Sequence, residues 1–412
     1  MWRILFRPDV VFAIATAQAL SPYLFWQAGW GISVPHGNLT YYPVVIWLGG
    51  CFCFWVGSTL MANRLPAVPT YTLADSAPRV RVLVMALMAF VLLQAVLITK
   101  VYGTLPILSY LRQDGKIDIV TANQMQENSA VGQIGLYDVS LSWLNGALLL
   151  LLIVHYEKRR KLTALAVTAI LFVVAGNLIN GKRQGLVRAI VYLACGLALY
   201  SNSLTTVLHR LLPIPKNRVV IAAIALCAIV VLIYGFGYIA FLRNQGEFSR
   251  DSLAELTAYQ EYPLLNFESQ CRDAGYGPSQ LNIFYPFQRL VPYKLMQKFS
   301  SAQLDPPVRV VPSSPAGFYE DIQWAMGPIG IITLSMGIGM LAMYFYRHSL
   351  DSAPHMLIYC QMSYNLFVAH SFNEFLILAY FPGVLTVFLL CAPLRLKKRS
   401  ETRILVPVRR LT

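Results

Sequence analysis

The sequence predicts an all-α polytopic membrane protein with about ten transmembrane helices and one large extracytoplasmic loop. Three observations predict it. Hydrophobic residues make up 57% of the 412-residue chain and charged residues only 13%. Several apolar runs reach the roughly 20 residues that cross a bilayer as helix. Basic residues fall on alternate connections between those runs, as topology requires. The chain reads as a single integral membrane domain, 1–412, with 242–324 as the large loop within it.

The apolar runs lie at Val10 to Ala28, Tyr42 to Met61, Val82 to Thr99, Ile134 to Val154, Leu162 to Leu178, Leu186 to Tyr200, Val219 to Phe241, Met326 to Phe345, Met356 to Ala369 and Phe375 to Leu394. Arg3 and Arg7 before the first run, with small residues at Ala15 to Ala19, imitate a signal peptide. An uncleaved span is preferred, because the parity of every later segment then agrees with the charges.

With both termini in the cytoplasm, 20 of the 33 Lys and Arg fall on cytoplasmic segments, against 5 of the 19 Asp and Glu. That asymmetry is the positive-inside pattern, and it accounts for the whole net charge of +14. Nucleic acid is not needed to explain it. The localisation expected is the bacterial inner membrane, multi-pass, with the active face periplasmic. Of the seven cysteines, only Cys271 sits in a polar loop, so neither a disulfide framework nor a CxxC metal spacing follows. No internal repeat is evident, which argues against a transporter of inverted halves.

Polar chemistry collects on the external side. The stretch from Phe241 to Trp324 is long, polar, aromatic and proline-rich. Loops of that length are functional or disordered, and its aromatics with charges of both signs favour a folded cap over a membrane-embedded site. Asn180-Gly-Lys-Arg-Gln-Gly185 opens the sixth span. A helix N-terminus with Lys182 and Arg183 beside it suits a phosphate; the same residues also suit anchoring to lipid headgroups. Arg188 is too deep for easy snorkelling, so it should face a cavity or a partner. Arg112 ends an apolar loop broken by Pro106 and is either a second phosphate ligand or a solvated charge. In the long loop, Arg243 and Arg289 rank above Lys294 and Lys298 because a guanidinium grips phosphate in a bidentate fork. An amphipathic helix resting on the membrane explains that stretch equally well.

Glu320 and Asp321 stand at the entry of the eighth span, and His370 and Glu374 are four apart at the outer mouth of the last two. A His–Glu pair on one helical face suits activation of a hydroxyl by a general base; simple capping of the tenth helix is the other reading. The external histidines are only His36 and His370, without a close acid or cysteine cluster, so zinc is not expected.

The chain resembles the Wzy-type oligosaccharide repeat-unit polymerases of bacterial surface-polysaccharide assembly. The likeness rests on a Gly-x-x-Pro loop with Tyr110 and Arg112, the Gly-Lys-Arg183 turn, the Leu242-Arg243 exit, Tyr262-Pro-Leu-Leu-Asn-Phe267, the entry Phe318-Tyr-Glu-Asp through Gly330, and His370-Ser-Phe-Asn-Glu374. The resemblance implies a GT-C-like architecture and a metal-independent glycosyltransferase without cofactor. Its reaction would move a growing glycan from undecaprenyl diphosphate onto a lipid-linked repeat unit. Arg183, Arg243 and Arg289 would hold the diphosphate, with Arg188, Arg112 and Lys182 behind them. Glu374, His370 and Asp321 would be the candidates to activate the acceptor hydroxyl. The implied partners are the undecaprenyl-diphosphate-linked oligosaccharide, membrane lipids and a chain-length regulator. Two alternatives stay open at this stage, a flippase or carrier of the lipid-linked glycan and an O-antigen ligase.

Overall fold

The computed structural model describes residues 2–27, 41–64, 71–73, 317–349, 353–370 and 396–398, with further helical positions inside 85–99, 188–199 and 264–271. In chain order the elements are α1 (Trp2–Leu5), α2 (Pro8–Gln27), α3 (Tyr41–Arg64), β1 (Tyr71–Leu73), α4 (Phe318–His348), α5 (Ala353–Val368) and β2 (Leu396–Lys398). Apart from the short two-stranded ribbon, the described chain is helical. α2, α3 and α5 match the first, second and ninth apolar runs to within a few residues, and α4 contains the eighth but begins earlier, at Phe318. The remaining predicted spans lie wholly or largely outside the described residues.

Local chemistry sets the helix starts. Pro8 opens α2, where a missing N–H costs nothing, and Asp9 in the first turn accepts from Val10 N at 3.1 Å and pairs with Arg7 at 2.8 Å. At the start of α4, the Gly317 N–H donates to Glu320 Oε2 at 3.2 Å, which satisfies one backbone donor at the helix end.

α4 is broken within its length. Gly327 has φ 64 and ψ −162, a region essentially reserved for glycine, and Pro328 follows it as the first residue of a second arm. The Ser335 hydroxyl lies 3.4 Å from the Tyr319 hydroxyl. In a straight helix those residues would stand about 24 Å apart, given a rise of roughly 1.5 Å per residue. The short arm therefore folds back beside the long one.

The long arm packs on α3 with almost no side chain between the backbones. A Cβ at Gly57 would lie 2.2 Å from Met336 O, and one at Gly339 would lie 2.2 Å from Phe54 O. Ser58 Oγ donates to Gly339 O at 3.2 Å across the same contact. Small residues that let backbones touch are the usual means of helix association where lipid removes the hydrophobic drive. Phe12 from α2 stacks on Phe54 with ring centroids 4.2 Å apart, and Trp47, Tyr319, Ile331 and Leu366 complete the core around them.

On their other faces α3 and α4 expose Val45, Leu48, Phe52, Trp55, Ile329 and Ile332. Two helical stretches, Tyr41–Asn63 and Met326–His348, are long and apolar enough to cross a membrane. Continuous exposed apolar surface on such helices is what a helical membrane protein presents to lipid.

The two ends of the bundle carry different residues. At one, Arg3 Nη2 donates to Leu199 O at 2.8 Å, Tyr346 Oη donates to Arg3 O at 3.1 Å, and Tyr359 Oη donates to Phe6 O. At the other, Phe318 N donates to Ala369 O at 2.8 Å, which ties the start of α4 to the turn after α5. Segments assigned by charge to the same side thus meet one another. β1 and β2 pair antiparallel, Tyr71 opposite Lys398, and both strands come from segments the charge rule puts together.

One expectation needs correcting. Cys271, read from the sequence as a residue of a polar loop, is helical and fully buried. Leu264, Phe267 and Cys271 belong to the main core, so this part of the long segment is wedged into the bundle.

Candidate functional site

The end of the bundle where α4 begins is unusually polar for a buried place. Phe318, Tyr319 and Ile322 turn one face of the short arm into the core, and Glu320 and Gln323 are buried with them. From the helical residues within 264–271 comes Gln270, whose Nε2 donates to Glu320 Oε1 at 3.2 Å. Gln270 Oε1 and both amide atoms of Gln323 are buried without a hydrogen-bond partner. Buried polar groups are nearly always paired with protein, water or ligand, so such a concentration marks a place built to hold something polar.

His370 stands on the other side of Tyr319. Its imidazole stacks on Trp47 at a centroid distance of 4.4 Å and 25° between planes, and Tyr319 and Phe12 close the cage at 5.2 and 5.1 Å. Nε2 is 2.9 Å from Thr16 Oγ1, and that hydroxyl also lies 2.9 Å from Phe12 O. A hydroxyl has one proton to give. Spent on the Phe12 carbonyl, it leaves the Thr16 oxygen to accept from Nε2–H, and Nδ1 then carries the free lone pair. Nδ1 is buried and has no hydrogen-bond partner. Burial pushes the imidazole down to about 3, which keeps it neutral. The same burial pushes the Tyr319 phenol up, so it too stays neutral.

Arg188 is buried inside the bundle, 4% exposed, with its guanidinium carbon 5.1 Å from the centroid of the Tyr364 ring. A cation over an aromatic face gains attraction that strengthens as water is excluded. Tyr364 belongs to α5, the helix whose end delivers His370. On the same helix Gln361 Nε2 donates to Asn365 Oδ1 at 3.1 Å. Arg188 therefore faces the protein interior, with an aromatic partner.

Of the residues singled out in the sequence, His370 and Arg188 are thus both interior. Asp321 lies in the first turns of α4, between Glu320 and Ile322. Glu374, Lys182, Arg183, Arg112, Arg243 and Arg289 lie outside the described residues. Sequence reasoning passed over Gln270, Gln323, Thr16 and Trp47. Thr16 gives no signal, since a threonine in an apolar helix ordinarily bonds its own preceding turn. Gln323 could have been found, because it shares the apolar spacing of Phe318, Ile322 and Met326 closely enough to be buried with them. Among the described residues, no group of three or more His, Cys, Asp or Glu side chains could hold a metal ion.

Compared with known protein families, curated proteins and solved structures, the chain finds no match.

Proposed function

We propose that the protein is a polysaccharide repeat-unit polymerase, a metal-independent glycosyltransferase with about ten spans in a GT-C-like arrangement in the bacterial inner membrane. It would transfer a growing glycan from undecaprenyl diphosphate to a lipid-linked repeat unit on the periplasmic face. The observation that carries this reading is the interior position of Arg188, a buried guanidinium; on the sequence reading, the Lys182–Arg183 turn opens the same span. A diphosphate leaving group concentrates negative charge as the glycosidic bond breaks, and fixed guanidinium groups in a water-poor site stabilise it without a metal. Arg183, Arg243 and Arg289 would join Arg188 in that role, with Lys182 and Arg112 beside them.

The acceptor hydroxyl must lose a proton as it attacks. His370 Nδ1, Glu374 and Asp321 are the candidate acceptors. An imidazole held neutral by burial is a weak base at rest, and an arriving diphosphate would strengthen it by favouring the charged form. The pairing of like-sided segments at each end of the bundle supports the topology on which this reading rests.

Deleting the gene tests it. The expected outcome is surface glycan of single repeat units, with long chains restored by the wild-type gene. Repeat units held on the inner leaflet would point instead to a flippase, and an unchanged ladder would remove the polymerase reading.

A further inference from the structure

Outside the residues given a role so far, the most unusual group in the molecule is the Gln270–Glu320–Gln323 cluster. Each of the three is at most 1% exposed. Glu320 accepts at both oxygens, from Gln270 Nε2 and from the Gly317 N–H, each at 3.2 Å. Capping of α4 explains the carboxylate. It explains neither the Gln323 amide nor the free Gln270 oxygen. Gln323 lies three residues beyond Glu320, so the two share a helical face. Its amide could donate two hydrogen bonds and accept two, yet it makes none, and Gln270 Oε1 is likewise unused. The idle Gln323 amide and the unused Gln270 oxygen are costly, roughly 1–3 kcal/mol for each unpaired group, unless something fills them.

The chemistry of the cluster selects what fills it. A carboxylate already turned into the site repels phosphate. The Gln323 amide offers donors and an acceptor and Gln270 a further acceptor, which match hydroxyl groups, since these also donate and accept. Aromatic residues adjoin the cluster in the chain: Phe267 lies one helical turn before Gln270 and Tyr319 next to Glu320, and Trp47 packs 6.1 Å from Phe267 and 5.8 Å from Tyr319 by ring centroids. Polar groups that fix orientation beside flat apolar faces are the composition of a site for a compact polyhydroxylated ligand. We infer that Gln270, Glu320 and Gln323 form a carbohydrate-binding subsite that recognises sugar hydroxyls, separate from the guanidinium groups assigned to the diphosphate. The identity of the sugar rests on the polymerase reading; the subsite itself rests on the buried amides.

The test separates the two. The probe is the oligosaccharide released by mild acid from the polyprenyl-linked pool of the deletion strain and tritiated at its reducing end. Binding is measured on the full chain in nanodiscs, for wild type, Gln270→Met and Gln323→Met. Methionine keeps the volume; at Gln323 it removes an unpartnered buried amide, so melting temperature should hold or rise, whereas at Gln270 it also removes the donor to Glu320 Oε1 and should lower it. The expected result is saturable binding by wild type, weakened at least tenfold in both variants. No saturable binding by wild type, or equal binding by folded variants, overturns the subsite. Should either variant fail to fold, hydrogen exchange of wild-type segments 264–271 and 318–326 decides: protection by the oligosaccharide supports the subsite, and unchanged exchange overturns it. Binding with no rescue of the glycan ladder by the wild-type gene would leave the subsite standing and remove the polymerase.

Discussion

Replacing Gly57 with leucine is expected to abolish accumulation of folded protein, and Gly339→Leu to do the same. At both positions the added Cβ would fall 2.2 Å from a carbonyl oxygen of the facing helix. Backbone atoms cannot rotate away as a side-chain tip can, so α3 and α4 would have to separate along the contact that organises the described core. Overpacking a close contact costs about 1–3 kcal/mol where side chains can give, and more is expected where only backbone faces the intruder. The loss extends to Ser58, whose hydrogen bond to Gly339 O depends on the same approach. Gly49 and Gly337, on the same two helices, have nothing within 4 Å of an added Cβ. Alanine at either should be tolerated, gaining up to about 1 kcal/mol of helix propensity. Size-exclusion profiles and melting temperatures of the four variants check the contrast; equal behaviour of Gly57→Leu and Gly49→Ala would refute the close packing.

The second large effect is acid lability centred on His370. Its imidazole titrates near 3 in the folded protein and near 6.5 in an unfolded chain. Between those values the unfolded state binds a proton that the folded state refuses, so stability falls as pH falls. The slope is about 1.4 kcal/mol per pH unit, giving a loss of about 2 kcal/mol by pH 5 relative to pH 7.5. His370→Gln removes the titrating group and should flatten the wild-type curve over that window, whatever it does to stability at neutral pH. Denaturation at a series of pH values in detergent measures it. Parallel curves for the two proteins would mean that the cage around His370 admits the charged form.

The helices were legible where apolar length alone defines them. The runs beginning at Val10, Tyr42, Met326 and Met356 became α2, α3, the long arm of α4 and α5, because about 20 apolar residues leave a chain few other solutions. The burial of Arg188 was legible too, because a cation placed inside an apolar run must face a cavity or a partner. Two features were hidden. The fold-back at Gly327-Pro328 is flanked by apolar residues on both sides, so hydropathy runs straight through it. The burial of Gln270, Cys271 and Gln323 escaped because apolar-run counting reads a polar stretch as a loop, whereas here Leu264, Phe267 and Ile322 carry those polar neighbours into the core. The aromatic cage of His370 draws Phe12, Trp47 and Tyr319 from three separate helices, and no local pattern joins them.

The most direct measurement of the central claim is reconstitution. The purified full chain in proteoliposomes would receive polyprenyl-diphosphate-linked repeat units from the deletion strain, in buffer containing EDTA. A ladder of lipid-linked glycans that lengthens with time, with one free polyprenyl diphosphate released at each transfer, is the predicted result. Single repeat units that stay single, whether or not they cross the bilayer, would contradict it.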